Sequence, residues 1–157
     1  MKCKYKHCLH PNIPVKKEEA IQVGSSYYHP DCYELKNTVA EIVDFFTKEI
    51  NPDVVHMILV KTINNICFPK DKPGIPPERL LFQLKYHQRH GGKIQYPAGL
   101  YYVLQDRPSY EAWKRYKAEK KVGATDFSVS DEQNESKKSS VTIKKPKSFE
   151  DILKGRS

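Results

Sequence analysis

Three cysteines and one histidine near the amino terminus have the types and the spacing of a single metal site. They read Cys3-x4-Cys8-x20-His29-x2-Cys32, which is two ligand pairs separated by a spacer. Three thiolates and an imidazole are donors that a structural Zn²⁺ prefers, and four protein ligands close its tetrahedral shell. The pattern therefore predicts a structural zinc ion that holds a small finger together.

Two nearby histidines leave the identity of one ligand open. The four-residue gap between Cys3 and Cys8 is at the wide end for a zinc ligand pair. His7 and His10 lie on either side of Cys8, and either could take its place. The competing interpretation is a set of scattered structural cysteines with a surface His29. The position of three of the four cysteines within the first 32 residues favours the metal site.

The run Gly24-Ser-Ser-Tyr-Tyr-His29-Pro-Asp-Cys32, which follows a hairpin-like stretch and opens a helix, resembles treble-clef zinc fingers. The ligand order is similar to the first half of a LIM domain and to poly(ADP-ribose) polymerase-type fingers. The Tyr-His-Pro-x-Cys run resembles the short amino-terminal fingers of small bacterial and phage proteins. This resemblance covers residues 1–35 and implies zinc and a finger-like shape. Because such fingers bind protein in some families and nucleic acid in others, it does not select a partner.

The elements that must hold this site are predicted to be mainly α-helical. Apolar residues recur at intervals of three and four over residues 31–50, which predicts a long first helix that begins inside the finger. Asn51-Pro52-Asp53 is expected to end it and to start a second helix, whose buried stripe is predicted to consist of Val55, Ile58, Leu59, Thr62, Ile63 and Ile66. Further helices are predicted over 78–90, 96–104 and 109–121. The expected fold is a finger with a short β-hairpin, followed by a small bundle of four or five helices.

Composition divides the chain into four parts. We expect a zinc finger at 1–35, a helical domain at 36–121 and a disordered linker at 122–146, since the linker is rich in serine and mixed charge. Residues 147–157 regain a helical pattern, with Phe149, Ile152 and Leu153 on one side. This segment is predicted to be a short interaction motif that docks on its own domain or in a partner's groove, and simple disorder is the alternative.

The positive charge of the chain is concentrated in one region. The formal net charge is +8, and residues 71–121 hold 11 basic and 5 acidic side chains. This asymmetry favours a polyanionic partner such as DNA or RNA, although lysine-rich helix faces are often only solvated. Trp113 and Tyr116 among these cations could stack on bases, or could simply pack in the core. The predicted phosphate contacts are Lys85, Arg89, Lys93, Lys114, Arg115 and Lys117, with positioning contacts from Lys2, Lys4 and Lys6.

Other classes of protein find little support in the sequence. There is no Gly-rich phosphate loop, nucleophile elbow or His-Glu-x-x-His helix, so no enzyme and no small-molecule substrate is expected. No apolar run is long enough for a membrane helix, and no signal peptide is visible, so a cytoplasmic location is expected. Cys67 lies alone and is expected to pack as a small hydrophobe.

The sequence therefore predicts a non-enzymatic zinc-binding protein that acts as a DNA- or RNA-binding accessory or regulatory factor. The alternative is a protein-interaction adaptor or inhibitor of phage or mobile-element type. Such an adaptor would bind a host protein through the finger or through the carboxyl-terminal motif.

Overall fold

The structure, a computed structural model, describes residues 1–125 as a two-stranded β-hairpin followed by five α-helices. The predicted mainly α fold with an amino-terminal hairpin is confirmed. The chain divides into two units, Met1–Asp106 and the part from Arg107 onward. The predicted motif at Phe149, Ile152 and Leu153, and the predicted linker beyond residue 125, lie outside the described residues.

The hairpin is short and closes with a two-residue turn. Strand β1 spans Ile21–Val23 and pairs antiparallel with β2, Ser26–Tyr28, with Val23 opposite Ser26. Gly24 has φ 59°. A two-residue hairpin turn needs a positive φ at its first position, where glycine pays no steric penalty. The turn thereby brings the chain to His29, which directly follows β2.

Helix α1 begins immediately after the hairpin. It spans Pro30–Phe45 and starts with the favoured combination of a proline at the first position and an acidic residue, Asp31, in the first turn. It continues as a π-helical turn over Phe46–Ile50, and Asn51 then leaves the helix with extended backbone. The sequence predicted a helix over 31–50 and gave no sign of the π-helical turn.

The predicted start of the second helix is wrong. Helix α2 spans His56–Cys67, because residues after Asn51 first form an isolated turn and Val55 has extended backbone. The Asn51 side chain does accept a hydrogen bond from the Asp53 backbone at 2.9 Å, but it caps that turn instead of a helix. Leu59, Ile63 and Ile66 of the predicted stripe are buried. Val55 and Ile58 are more than half exposed, because α2 turns the side of Leu59 and Ile63 towards the core.

Helix α3, Pro77–Arg89, and helix α4, Gly99–Gln105, complete the core of the first unit. Gln83 is fully buried on α3, where its Oε1 accepts a hydrogen bond from Arg79 Nε at 2.8 Å. Its Nε2 donates to the carbonyl of Val103 in α4 at 3.2 Å. Eleven buried residues of this unit form one cluster, Ile42, Phe46, Leu59, Ile63, Ile66, Cys67, Leu80, Leu81, Leu84, Leu100 and Val103. Cys67 thus packs as a small hydrophobe, as predicted.

Helix α5 spans Arg107–Thr125 in the second unit. It ends four residues beyond its predicted end at Lys121, so the first residues of the predicted linker are helical. No helix within residues 1–125 has both the length and the apolar character needed to cross a membrane.

Candidate metal centre

Four different pieces of local structure bring the predicted ligands together. Cys3 lies beside the hairpin, because the Lys4 backbone N–H donates to the carbonyl of Tyr27 in β2 at 3.0 Å. Cys8 lies in the turn that follows this segment, and His29 lies between β2 and α1. Cys32 lies in the first turn of α1, where it is fully buried. The fold therefore joins residues that are far apart in sequence.

The donor atoms of Cys8, His29 and Cys32 have the separations of a tetrahedral site, and Cys3 lies close to them. The three sulfurs and one imidazole nitrogen all lie within 4.8 Å of one another. Cys8 Sγ lies 3.7 Å from Cys32 Sγ, and His29 Nδ1 lies 3.5 Å from Cys8 Sγ and 3.8 Å from Cys32 Sγ. A tetrahedral zinc ion with ordinary bond lengths would place two sulfurs about 3.8 Å apart and a sulfur and a nitrogen about 3.5 Å apart. The predicted donor set thus fits a metal ion.

Neither alternative histidine belongs to this donor group. His7 instead stacks on Phe68, with ring centroids 4.2 Å apart and planes inclined by 6°. The Nε2 of His10 lies 2.5 Å from Asp31 Oδ2. Cys8 therefore supplies the second donor in the cluster that the described residues form.

Hydrogen bonds around the cluster orient the sulfurs. The backbone N–H of His10 donates to Cys8 Sγ at 3.3 Å, and that of Leu9 donates to Cys32 Sγ at 3.4 Å. Asp31 accepts from His10 on one oxygen and from the Cys32 backbone N–H, at 2.9 Å, on the other. Such partners around metal ligands fix their orientation. From the sequence, His10 was predicted only as an alternative ligand and Asp31 was not predicted, although its place next to Cys32 was the available signal.

The imidazole of His29 presents one nitrogen to the sulfurs and the other to the interior. Its Nδ1 faces Cys8 and Cys32, whereas its Nε2 is buried and has no hydrogen-bond partner among residues 1–125. The ring of His10 packs edge-on against it, with centroids 5.0 Å apart. A metal ion on Nδ1 would fix the tautomer, with the proton on Nε2.

The sulfurs differ in how readily they ionise in the absence of a cation. Burial, together with a hydrogen bond and the charge from Cys8 and the charge of Cys3, raises the pKa of Cys32 to about 12. Burial would also raise the pKa of Cys3, but hydrogen bonds from the backbone of His29 and Tyr5 and from the neighbouring thiols lower it below the ordinary value. Three thiolates in one cluster repel each other, so a bound cation would favour their joint deprotonation.

The predicted phosphate contacts on α3 have individual partners. Lys85 Nζ lies 2.7 Å from Glu41 Oε1 of α1 and 5.9 Å from the centre of the Phe45 ring. Arg89 lies at the end of the same helix, and Lys93 lies in the following segment; both are exposed. Lys85 thus faces α1, and the role of all three residues in binding stays a prediction.

The predicted contacts on α5 lie next to the aromatic residues of their own helix. Lys114 forms an ion pair with Glu111 at 3.0 Å, and Arg115 is exposed. Lysine ammonium groups lie over aromatic rings at i,i+4 spacing, with distances of 5.0, 5.2 and 5.9 Å to the ring centres. The three pairs are Lys114 on Tyr110, Lys117 on Trp113 and Lys120 on Tyr116. These contacts stabilise the helix and cover one face of each ring.

A groove of about 1050 Å³ lies between the amino-terminal segment and α2. Three exposed lysines line it, Lys6 from the predicted finger, Lys61 from α2 and Lys70 from the loop after α2. Of these three lysines only Lys6 was predicted from the sequence, because residues 36–70 carry equal numbers of acidic and basic side chains. The alignment of Lys61 with Lys6 and Lys70 arises only in the folded chain.

Comparisons of this chain with protein-family models, with curated proteins and with solved structures found no match.

Proposed function

We propose that the chain is a non-enzymatic zinc protein that binds nucleic acid. The observation that carries the zinc part is the convergence of Cys3, Cys8, His29 and Cys32, whose donor atoms lie within 4.8 Å of one another. Three sulfurs and one nitrogen favour zinc over the harder cations, which prefer oxygen ligands. Four protein ligands leave no position for a substrate, so the zinc has a structural role.

The zinc ion would join the amino-terminal segment, the hairpin and α1. Cys3 and Cys8 precede the hairpin, whereas Cys32 belongs to α1. A short segment of this kind buries little apolar surface, and metal binding commonly supplies the folding free energy that such segments lack. We also propose that the segment around the ligands is a treble-clef-like finger.

Charge supports nucleic acid as the partner. The net charge is +8, and release of counterions from phosphates favours binding of basic proteins to DNA and RNA. The finger adds Lys2, Lys4 and Lys6, all of them exposed, to the basic side chains of the helices. We propose an accessory or regulatory role, because neither nucleic-acid binding nor a structural zinc site requires a catalytic residue.

Elemental analysis of the purified chain tests the zinc site. We expect one zinc ion per chain in the wild type, loss of zinc in Cys8→Ser and Cys32→Ser, and retention in Cys67→Ala, the matched control outside the cluster. His7→Ala and His10→Ala should also retain zinc. Replacement by Co²⁺ should give thiolate-to-cobalt charge-transfer absorption. A wild-type chain without a transition metal would exclude the proposal.

Anisotropy of a labelled oligonucleotide with the zinc-loaded chain tests the partner. Affinity should fall steeply between about 50 and 200 mM salt, because each phosphate contact releases counterions. A pull-down with and without nuclease provides an independent measurement. Absence of binding at low salt, or an affinity that does not change with salt, would contradict a nucleic-acid partner.

An exposed apolar patch favours the protein adaptor as a second candidate. Val55, Met57 and Ile58, at the start of α2, are 58%, 81% and 54% exposed. Exposed apolar side chains that lie together often mark protein interfaces. An adaptor should lose a co-purifying protein when Val55 and Ile58 are replaced by serine, whereas a nucleic-acid-binding protein should keep its oligonucleotide affinity, because neither residue lines the groove beside α2.

A further inference from the structure

We propose that the groove between the amino-terminal segment and α2 binds a single-stranded segment of DNA or RNA. This inference rests on the proposed function and gives it a site, whose lining residues differ from the basic residues predicted on α3 and α5. The groove has a volume of about 1050 Å³ and belongs entirely to the unit Met1–Asp106.

The cations of the groove are available to phosphates. Lys6, Lys61 and Lys70 are exposed, and none of them forms an ion pair with any residue from 1 to 125. Asp71 is the acidic residue among those that line the groove, so three lysines outweigh one carboxylate. Lys85 and Lys114, in contrast, have carboxylates at 2.7 and 3.0 Å. The charge of the groove is thus complementary to a polyanion.

The remaining lining suits nucleobases. His7 and Phe68 form a stacked pair with ring centroids 4.2 Å apart, and Met57 adds an apolar side chain. Asn64 and Asn65 each offer an amide that can donate to and accept from base edges. Single-strand binding sites generally combine cations along the sugar-phosphate backbone with aromatic and apolar surfaces that contact the bases.

The concave shape favours a single strand over a duplex. Proteins read duplex DNA by inserting a protruding helix or ribbon into its major groove, whereas a recessed site can receive bases that are unpaired and splayed. An acidic peptide could also neutralise the lysines and bond the two amides through its backbone, but its acidic side chains carry no ring to stack beside His7 and Phe68. The lining therefore favours the single strand.

The site is anchored to the predicted zinc finger. Lys6 and His7 lie between Cys3 and Cys8, so their position depends on the segment that the metal ion would hold. His7 then contacts Phe68, just after α2, which fixes one wall of the groove against the other. Removal of zinc should consequently weaken binding of the single strand, even though none of the four predicted metal ligands lines the groove.

The experiment measures anisotropy of a labelled 12-nucleotide single strand of mixed sequence with the full, zinc-loaded chain. Lys61→Glu with Lys70→Glu should weaken binding by at least about tenfold, since two attractive charges become repulsive. The matched control, Lys16→Glu with Lys48→Glu, makes the same change in net charge at exposed lysines outside the groove and should weaken it far less. Zinc content and circular dichroism establish that each variant is folded.

Two further measurements distinguish the site from general attraction. Lys61→Ala with Lys70→Ala should reduce the slope of log affinity against log salt by about 0.7 for each lysine removed. Asn65→Asp, which keeps the shape of an exposed side chain, should weaken binding by placing a carboxylate in the groove. The duplex of the same sequence should bind more weakly than the single strand.

Several results would overturn the inference. Equal effects of the groove pair and the control pair would exclude the groove as the site. Loss of binding in Lys114→Glu with Arg115→Glu, with no change in the groove variants, would transfer the site to α5 and leave the proposed function intact. Tighter binding of polyglutamate than of the oligonucleotide would identify an acidic protein as the occupant. No binding of any oligonucleotide by the zinc-loaded wild type would instead exclude the proposed function itself.

Discussion

Lys85 Nζ on α3 lies 2.7 Å from Glu41 Oε1 on α1, so a charged pair joins two helices that also share the hydrophobic core. The lysine side chain is 25% exposed and the glutamate side chain 55%. Pairs at this level of exposure gain little, because water screens their attraction and two long side chains lose freedom. The pair therefore fixes the orientation of the two side chains more than it stabilises the fold.

A double-mutant cycle should give a small coupling for this pair. We expect Lys85→Ala and Glu41→Ala to interact by about 0.2–1 kcal/mol in urea unfolding, and the coupling should shrink in 1 M salt because of screening. The pair of Lys48 and Asp44, 3.6 Å apart on the surface of the first helix and its π-helical turn, is the control and should couple no more strongly. A coupling well above this range, or one that salt does not change, would contradict the expectation.

Phe46 should be among the residues that matter most for stability. It is fully buried at the start of the π-helical turn, in the central cluster. Phe46→Ala removes a whole ring and leaves a cavity, which should lower the free energy of unfolding by about 3–5 kcal/mol. Met57→Ala, at a side chain that is 81% exposed, should change it by less than about 0.5 kcal/mol. Similar losses in urea unfolding at the two positions would contradict the described core.

Gly74 should not tolerate a side chain. A Cβ placed there would lie 1.9 Å from the carbonyl oxygen of Cys67 and 2.9 Å from Cδ of Pro69. Because backbone atoms cannot yield cheaply, Gly74→Ala should displace the loop after α2 and lower the thermal midpoint. Gly123→Ala on α5, where a Cβ meets nothing within 4 Å, should be neutral or should raise helix content. Equal thermal midpoints for Gly74→Ala and the wild type would show that the loop lies further from α2.

Alkaline pH should destabilise the chain partly through Cys67. Burial raises the pKa of this thiol from 9.0 to about 12. Between these values the unfolded chain loses the proton while the folded chain keeps it, so stability is intact below pH 9 and falls as pH rises towards 12. One such group contributes at most about 1.4 kcal/mol per pH unit.

Cys67→Ala provides the comparison for that effect. The variant should lose stability less steeply with pH between 9 and 12, whatever its stability at pH 7, because the alanine cannot ionise. Urea unfolding of both chains at several pH values gives the two slopes. Parallel curves would indicate that the thiol is not sheltered from water.

The convergence of the Cys/His cluster and the long helices could be predicted because each depends on local pattern. The spacing of Cys3, Cys8, His29 and Cys32 indicates a common metal ion, and the apolar residues of α1, such as Ile42 and Phe46, recur at helical intervals. Ligand types, their spacing and the periodicity of apolar residues can all be read directly from a sequence. Cys67 was likewise expected to pack as a small hydrophobe, because free cysteines are commonly buried.

Features that depend on tertiary contacts could not be predicted. The Asn51-Pro52-Asp53 run carries every signal of a helix start, yet it forms only a turn, and α2 begins at His56. Ile58 was assigned to the buried face because it is apolar, but the orientation of α2 against its neighbours leaves it exposed. The groove beside α2 was not predicted for the same reason, since Lys6 and Lys61 line one groove only in the folded chain.

The buried amide of Gln83 favours one lengthwise alignment of helices α3 and α4. Of its two hydrogen bonds, the one from Arg79 lies within α3. The one to the carbonyl of Val103 crosses to α4 and therefore depends on the offset between the two helices. A shift of either helix by one turn would break the hydrogen bond to Val103 and leave the buried amide without its partner on α4, at a penalty of about 1–3 kcal/mol. Apolar packing thus stabilises the contact between α3 and α4, whereas the buried amide disfavours shifted registers that a purely apolar interface would tolerate.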